Sequence, residues 1–330
     1  MRRLIGLLLL ALVLGSCGQT GTGSTGTSGT AASGTANAGA TAAGGSAGGA
    51  SGTASAGATA TGSGAGNGSG QAVAKAPTGT LLRKIQDRGK IIIGVKYDQP
   101  GFGYLNPMTN QLEGYDVDIG RAIAKKIFGD EKAAEFKEAV SKNRIPYLND
   151  GTVDLVIATM TANEDRAKQI DFSDCYYVAG QKLLVKQSSP INGIGDLAGK
   201  TVATAKGSTS EKNIRAKAPQ AKVELYDTYA DGLQAVLSGR ADALTTDDII
   251  LYGYEKQNKG QVKVVGDQFT QEPYAIGLQK GHPELLEVVN QVIRDLKSSG
   301  AWTELYKKHI STENVPSPPP QDWRAVGKSS

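Results

Sequence analysis

Cysteine and histidine are both scarce: two of each in 330 residues, at Cys17, Cys175, His282 and His309. Cys17 sits in the N-terminal leader, so Cys175 has no partner within the chain, and neither a disulfide framework nor a cysteine-rich metal site can be built. The two histidines fall in C-terminal helical stretches, away from strand ends. No G-x-S-x-G, H-E-x-x-H or paired Cys/His pattern occurs, which leaves nucleophilic and metal-assisted hydrolysis without a footing. No cofactor and no metal is implied. The net charge is only +4, cations and anions are interleaved, and nothing supports a nucleic-acid role. Aromatics make up 6%, and they and the 43 glycines are spread unevenly, so the chain is read in parts.

Residues 1–17 carry Arg2 and Arg3, an apolar run from Leu4 to Leu14, and then Gly15-Ser16-Cys17. That is the layout of an export signal, and the run is too short to cross a bilayer. Its end resembles the bacterial lipobox, in which the cysteine becomes the lipidated first residue; an ordinary signal with an incidental cysteine is the alternative. Lipidation at Cys17 implies an extracytoplasmic protein anchored to the bacterial membrane by its lipid, with more than one acyl chain for stable attachment. From Gly18 to Ala74 the chain is almost wholly Gly, Ala, Ser and Thr, too poor in apolar side chains to offset its ordering entropy. Residues 18–78 therefore read as a tether with a span of roughly 40 Å. Its Gly21-Thr22-Gly23-Ser24-Thr25-Gly26 string has no strand before it and no helix after it, and carries no weight as a nucleotide loop.

Order is expected from near Thr78. A helix at Leu81–Ile85 and a strand at Lys90–Val95 are followed by a helix from Asp116 to Ile127, which stacks Ile119, Ile123 and Ile127 on one face. Strands at Val153–Ala158 and Lys182–Val185 come next. A second α/β unit is expected from about Ile191, with strands at Thr201–Thr204, Val223–Tyr226, Ala243–Thr245 and Val262–Val265 and helices at Glu211–Lys217 and Ala230–Leu237. The strand Glu272–Leu278 and helices at Pro283–Leu296 and Ala301–Lys308 close the fold, and Ser317-Pro318-Pro319-Pro320 ends it. Such alternation argues for parallel sheets covered by helices.

In open α/β sheets, ligands sit beyond the carboxyl ends of strands. Thr159 and Thr161 follow the apolar Val156 and Ile157, and Asn163-Glu164-Asp165 looks like a helix start from which Arg166 projects. A guanidinium beside two hydroxyls and loop N–H groups suits a carboxylate. Equally, Arg166 could pair with Glu164, Asp165 or Asp171 while the threonines cap the helix.

The following residues extend the pattern to T-x-x-x-x-R-x-x-x-x-D-F-S-x-x-Y-Y, from Thr161 to Tyr177. This resembles the signature of amino-acid-binding proteins of ABC importers, the extracellular solute-binding proteins of family 3, over about Leu81 to Ile310. The resemblance implies a two-lobe, hinged, type II periplasmic-binding-protein-like α/β fold. Lobe one would be 79–185 plus 275–312, lobe two 186–274, and 313–330 a tail, with hinge strands near Leu184–Lys186 and Tyr274–Ile276. It further implies that Arg166 holds a ligand α-carboxylate with Thr161, Thr159 and the Gly207-Ser208-Thr209 turn, and that Asp247 takes the α-ammonium. Ser208 stands where Thr is common, and the neighbouring Asp248 leaves the choice of acid open. Cys175 stands where Pro is usual and reads as a small, partly buried residue.

Two stretches bear on the side chain of the ligand: Gly94–Gly103, with Lys96, and Ser141–Leu148, with Arg144. They resemble the glutamate and aspartate importers, which implies that Lys96 and Arg144, with Ser141 beside them, face a second carboxylate. Three cations, Lys96, Arg144 and Arg166, against one acid, Asp247, give a cleft of +2, matched to L-glutamate and then L-aspartate. Lost charged hydrogen bonds cost ~1.5 to 3 kcal/mol, enough to discriminate against the amides. Phe102 reads equally as an aromatic wall for the ligand stem or as core. The expectation is thus a monomeric binding protein, not an enzyme, delivering an acidic amino acid to an ABC permease and its ATPase. A glutamine or asparagine binder, or a ligand sensor for a signalling partner, is the alternative. Glu113 and Asp118 are the acids an enzyme on the same fold would offer.

Overall fold

The computed structural model describes residues 72–327. The expected signal, its Cys17 and most of the tether lie outside the described residues. Ordered contacts start before Thr78: the Val73 N–H donates to Lys126 O at 3.0 Å, and the Gln86 side chain pairs with the backbone of Ala74 and Ala76.

The chain opens with α1 (Leu81–Arg88), β1 (Ile91–Val95) and three short strands, β2 (Asp98–Gln99), β3 (Gly103–Leu105) and β4 (Leu112–Glu113). Then come α2 (Tyr115–Phe128), β5 (Ala134–Glu138), α3 (Arg144–Asn149), β6 (Leu155–Val156), α4 (Glu164–Ala167) and β7 (Asp171–Ala179). The next stretch holds β8 (Gln181–Lys186), β9 (Thr201–Ala205), α5 (Thr209–Lys217), β10 (Lys222–Tyr226), α6 (Tyr229–Ser238), β11 (Ala243–Asp247), α7 (Asp248–Gln257) and β12 (Val262–Val265). It ends with β13 (Glu272–Leu278), α8 (Pro283–Ser298) and α9 (Ala301–His309).

Two five-stranded sheets result, ordered β5-β1-β6-β13-β7 and β10-β9-β11-β8-β12, one per lobe. Neither is wholly parallel, as the alternation alone suggested. In the first sheet β13 runs antiparallel to β6 and β7, and in the second β8 runs antiparallel to β11 and β12. The reversal follows from connectivity, because a strand arriving from the other lobe enters its new sheet from the opposite end.

The lobe boundaries move for the same reason. Lys182–Val185, expected in lobe one, lies wholly in the second sheet, where Leu183, Leu184 and Val185 are buried. The first crossing is therefore at Gly180, and the return runs through 266–271, so that Glu272–Leu278 already belongs to lobe one. Apolar alternation marks a strand but not the sheet that takes it.

Helix α2 shows how local pattern becomes packing. Ile119, Ile123 and Ile127 are all buried against the first sheet, each worth ~1.5–3 kcal/mol over exposure. Its N-terminus rests on Gly114 at φ +134°, where a Cβ would lie 2.1 Å from Phe102 O. Only glycine permits that approach.

The tail does not stop at the prolines. Gln321 O accepts the Cys175 N–H at 2.7 Å, and the Lys297 ammonium donates to Cys175 O at 2.6 Å and Pro319 O at 3.0 Å. A short 3-10 turn, Trp323–Ala325, buries Trp323 against Ala162, Cys175 and Ala275. Prolines end a helix but not a packed segment.

Candidate functional site

Lys96 follows the last residue of β1 and is 1% exposed. Its Nζ donates to Ser141 Oγ at 2.9 Å and lies 5.7 Å from the Tyr229 ring centroid. Burial pushes its pKa down to about 7, opposed by Asp98 and assisted by Arg144. Arg144 opens α3, and its guanidinium is largely committed to backbone: Nε donates to Ser141 O at 3.3 Å, and Nη1 to Ala158 O at 2.9 Å and Thr159 O at 3.3 Å. Burial lowers its pKa as well. The arginine clamps the end of the β6 segment to α3.

That clamp holds an uncommon conformation. Thr159 has φ +44°, a region a β-branched residue rarely adopts, and such strain persists only where surroundings over-determine it. Here the Thr159 N–H donates to Asp116 Oδ2 at 2.9 Å and its Oγ1 to Gln99 Oε1 at 2.8 Å. Asp116 is fully buried and also accepts from Tyr176 OH. Burial raises its pKa to about 6, against the pull of those hydrogen bonds. The Gln99 amide nitrogen is buried without a partner.

Two residues on, Thr161 Oγ1 donates to Glu272 Oε2 at 2.6 Å and meets Thr209 Oγ1 of lobe two at 3.3 Å. Arg166 donates from Nη1 to Thr161 O at 2.7 Å and from Nη2 to Gly207 O, across the lobes, at 3.5 Å. Burial and the Arg144 charge bring its pKa down to about 9. The acids that could have paired with it are engaged elsewhere: Glu164 with Arg324, Asp165 with Lys212 and Lys168, and Asp171 with the Gly281 N–H. Asn163, rather than a threonine, caps α4. On the facing lobe, Ser208 Oγ caps α5 by accepting the Glu211 N–H at 3.0 Å, which turns the positive end of that helix toward Arg166 and Thr161.

The two neighbouring acids differ in their hydrogen bonds. Asp248 accepts the Gly180 and Ile249 N–H groups and the Gln268 amide, so its carboxylate is occupied. Asp247 is 4% exposed, accepts Tyr274 OH at 2.5 Å through Oδ2, and keeps Oδ1 buried without a partner. Burial raises its pKa strongly, as do the nearby Glu272 and Asp248 charges, while Tyr274 and Arg144 oppose the rise. A buried carboxylate oxygen with no donor is a place for a ligand cation.

The structure gathers Lys96, Ser141, Arg144, Thr159, Thr161, Arg166, Ser208, Thr209 and Asp247 where the two lobes meet; a cavity of about 360 Å³ is lined there by Ser141, Arg144, Arg166 and Gly207, a second of about 350 Å³ by Thr161, Thr209 and Glu272, and Lys96 and Asp247 line neither. Phe102 is not brought there. Its ring packs at 5.2 Å from Tyr177 and 5.9 Å from Tyr274, and with Tyr104 it borders a separate cavity of about 750 Å³. Tyr274 stands between Phe102 and Asp247, so the aromatic supports the site from behind. Cys175 is fully buried, with its thiol pushed up to about 12 by burial. Glu113 is exposed, and Asp118 binds Arg121, Lys308 and His309, which hold its carboxyl low against burial.

Sequence reasoning missed Gln99, Asp116 and Glu272. Asp116 and Glu272 change the charge count: with Asp247 they set three buried acids among the three cations, Asp98 lies beside Lys96 as well, and the excess of +2 counted from the sequence is gone. Asp116 was visible only as a helix-start acid, and Glu272 only as the start of a strand.

A sequence profile of the bacterial extracellular solute-binding proteins, family 3, matches residues 91–312. The ABC transporter glutamine-binding protein of Bacillus subtilis (strain 168) is 48% identical over 233 residues, covering 70% of this chain and 85% of that protein. The glutamine-binding protein of Geobacillus stearothermophilus is 52% identical over 206 residues, covering 62% and 78%. Among solved structures, an ancestral arginine-binding protein bound to glutamine superposes with a TM-score of 0.64 at 40% identity, covering 67% of this chain and 98% of that one. Each of these relatives is named as an amino-acid-binding protein.

Proposed function

This chain belongs to the bacterial extracellular solute-binding proteins, family 3, and from that membership we propose that it captures L-glutamine between its lobes and hands it to an ABC permease. The observation that carries the ligand choice is the absence of excess positive charge among the cleft groups: the buried Lys96 and Arg144 and the half-buried Arg166 are matched by the buried Asp116, Asp247 and Glu272, with Asp98 beside Lys96. A zwitterion with an uncharged side chain suits such a site better than an anion does. Arg166, Thr161 and the N-terminus of α5 receive the α-carboxylate, and Asp247 Oδ1 receives the ammonium. Gln99 Nε2, buried and unpartnered, donates to the side-chain amide oxygen. The glutamine-binding relatives support the same choice. Glutamate is the second ligand, because Lys96, poised at about 7, can protonate to meet an extra carboxylate.

A thermal-shift and calorimetric panel of glutamine, glutamate, aspartate and asparagine at pH 7.5 tests the proposal. Glutamine is expected to bind most tightly, and glutamate outperforming it would overturn the charge argument. The lipid anchor at Cys17 is part of the same proposal: Cys17→Ser should move the protein from the membrane to the soluble fraction with ligand affinity unchanged. Continued membrane association of that variant rejects the anchor.

A further inference from the structure

The family match stops at residue 312, yet the described chain continues to 327 and is packed over the back of the ligand site. Strand β7 is an edge of the first sheet, and an unpaired edge needs a cover. The tail supplies one, since Gln321 O accepts the Cys175 N–H at 2.7 Å. Lys297 fixes the tail to α8 by donating to Cys175 O, Pro319 O and Pro320 O at 2.6, 3.0 and 3.4 Å.

Beyond this fastening, Trp323 enters a small cluster with Ala162, Ala167, Phe172, Cys175 and Ala275, its ring 6.0 Å from that of Phe172. Ala162 directly follows Thr161, and Ala167 directly follows Arg166. Arg324 lies over the Trp323 ring at 4.1 Å and donates to Glu164 Oε1 at 2.9 Å. Glu164 is the first residue of α4, the four-residue helix that carries Arg166. So short a helix has little stability of its own, and its position is set by what it rests on. The front of the loop is tied to β13 by Ala162 N–H to Pro273 O at 2.8 Å and Ala275 N–H to Met160 O at 3.1 Å; the tail is its rear support.

We propose that the C-terminal segment from Pro319 to Val326 is a strap that positions the Thr161–Arg166 loop, and that Trp323 is a positioning residue for amino-acid binding. The strap links ligand grip to a part of the chain outside the family domain. The inference rests on Arg166 holding the ligand α-carboxylate. Remove the strap, and Arg166 should still be present but no longer held in register with Gly207 and the N-terminus of α5.

Full-length Trp323→Ala, Trp323→Phe and Arg324→Ala carry the test, with two readouts. Amide exchange of residues 162–168, measured without ligand, should accelerate in Trp323→Ala and recover in Trp323→Phe, while residues 201–205 of lobe two stay at the unaltered rate. Affinity, measured well below the unfolding transition for every amino acid of the panel that the unaltered protein binds, should weaken about tenfold for each alike, because all present the same α-carboxylate. A fall in Tm with unchanged affinity and unchanged exchange at 162–168 overturns the proposal, as does faster exchange in both lobes equally. If Trp323→Ala does not fold, Arg324→Ala, a surface change that removes the Glu164 contact, the ring stacking and the 3.9 Å pair with Asp322, is read the same way. An unaltered protein that binds no amino acid on the panel sinks the glutamine reading, while the exchange measurement still decides the strap.

Discussion

Lys96 is a charged side chain with almost no access to water, and burial has moved its proton equilibrium to about 7. In the folded protein it therefore binds fewer protons than in the unfolded chain between pH 7 and its ordinary range, and its contribution to stability rises with pH across that window. Ligand choice should follow the opposite course. A glutamate side-chain carboxylate needs the ammonium, so above pH 7 its binding takes up a proton and weakens by up to about tenfold per pH unit, whereas glutamine has no such requirement. Calorimetry from pH 6 to 8.5 should show the glutamate-to-glutamine Kd ratio climbing; a flat ratio means Lys96 does not meet the side chain. At the head of the ligand no such selectivity is expected. Arg166→Ala and Asp247→Asn should weaken every α-amino acid by ~2–5 kcal/mol, since each leaves a desolvated charge without its partner, and titrations with glutamine, glutamate and asparagine check this.

Most elements were legible because their periodicity is strong: the α2 isoleucines, the amphipathic α8 and the apolar β1 stand almost where the sequence places them. The short pieces were not. Strands β2, β3 and β4 are too brief for a period, and β7 mixes charge and aromatics along Asp171–Ala179. In the site, Lys96, Arg144 and Arg166 stand out as cations beside strand ends, whereas Gln99, Asp116 and Glu272 meet them only through tertiary contacts that no spacing encodes. The turn from β9 into α5 belongs to the same class. Gly207 has φ +75°, and a Cβ there would lie 2.9 Å from Lys142 Cα on the facing lobe. Gly207→Ala should therefore act twice. The left-handed conformation costs ~1–2 kcal/mol in any folded state, lowering Tm by a few degrees. The clash arises only when the lobes meet, and it should weaken ligand binding beyond what the stability loss explains. Equal affinity in the variant and the parent would show that closure tolerates a wider gap at this turn.

At the scale of the whole molecule, two lobes joined by two crossings meet through Asp98 as well as through the cleft. The Asp98 carboxylate accepts the Tyr229 and Ala230 N–H groups at the start of α6, at 2.9 and 3.3 Å, and Tyr254 OH donates to its backbone carbonyl at 2.9 Å. Asp98→Asn weakens a charge-assisted contact made only in the closed arrangement. The open form should gain population, and every ligand should lose affinity by a similar factor. Small-angle scattering of the unliganded variant and titration with glutamine check both effects, and a loss confined to one ligand would assign Asp98 to specificity instead. The crossings also impose an order in time. Strand β13 lies between β6 and β7 but is encoded after the whole of the second sheet. On a growing chain, residues 181–265 can collapse into a finished lobe while the first sheet still has a gap between β6, which ends at Val156, and β7, which ends at Ala179, and both wait for a partner that begins only at Glu272. Until β13 is made, those two strands present unpaired edges, and the first lobe closes only when a strand encoded beyond the second lobe is inserted between them.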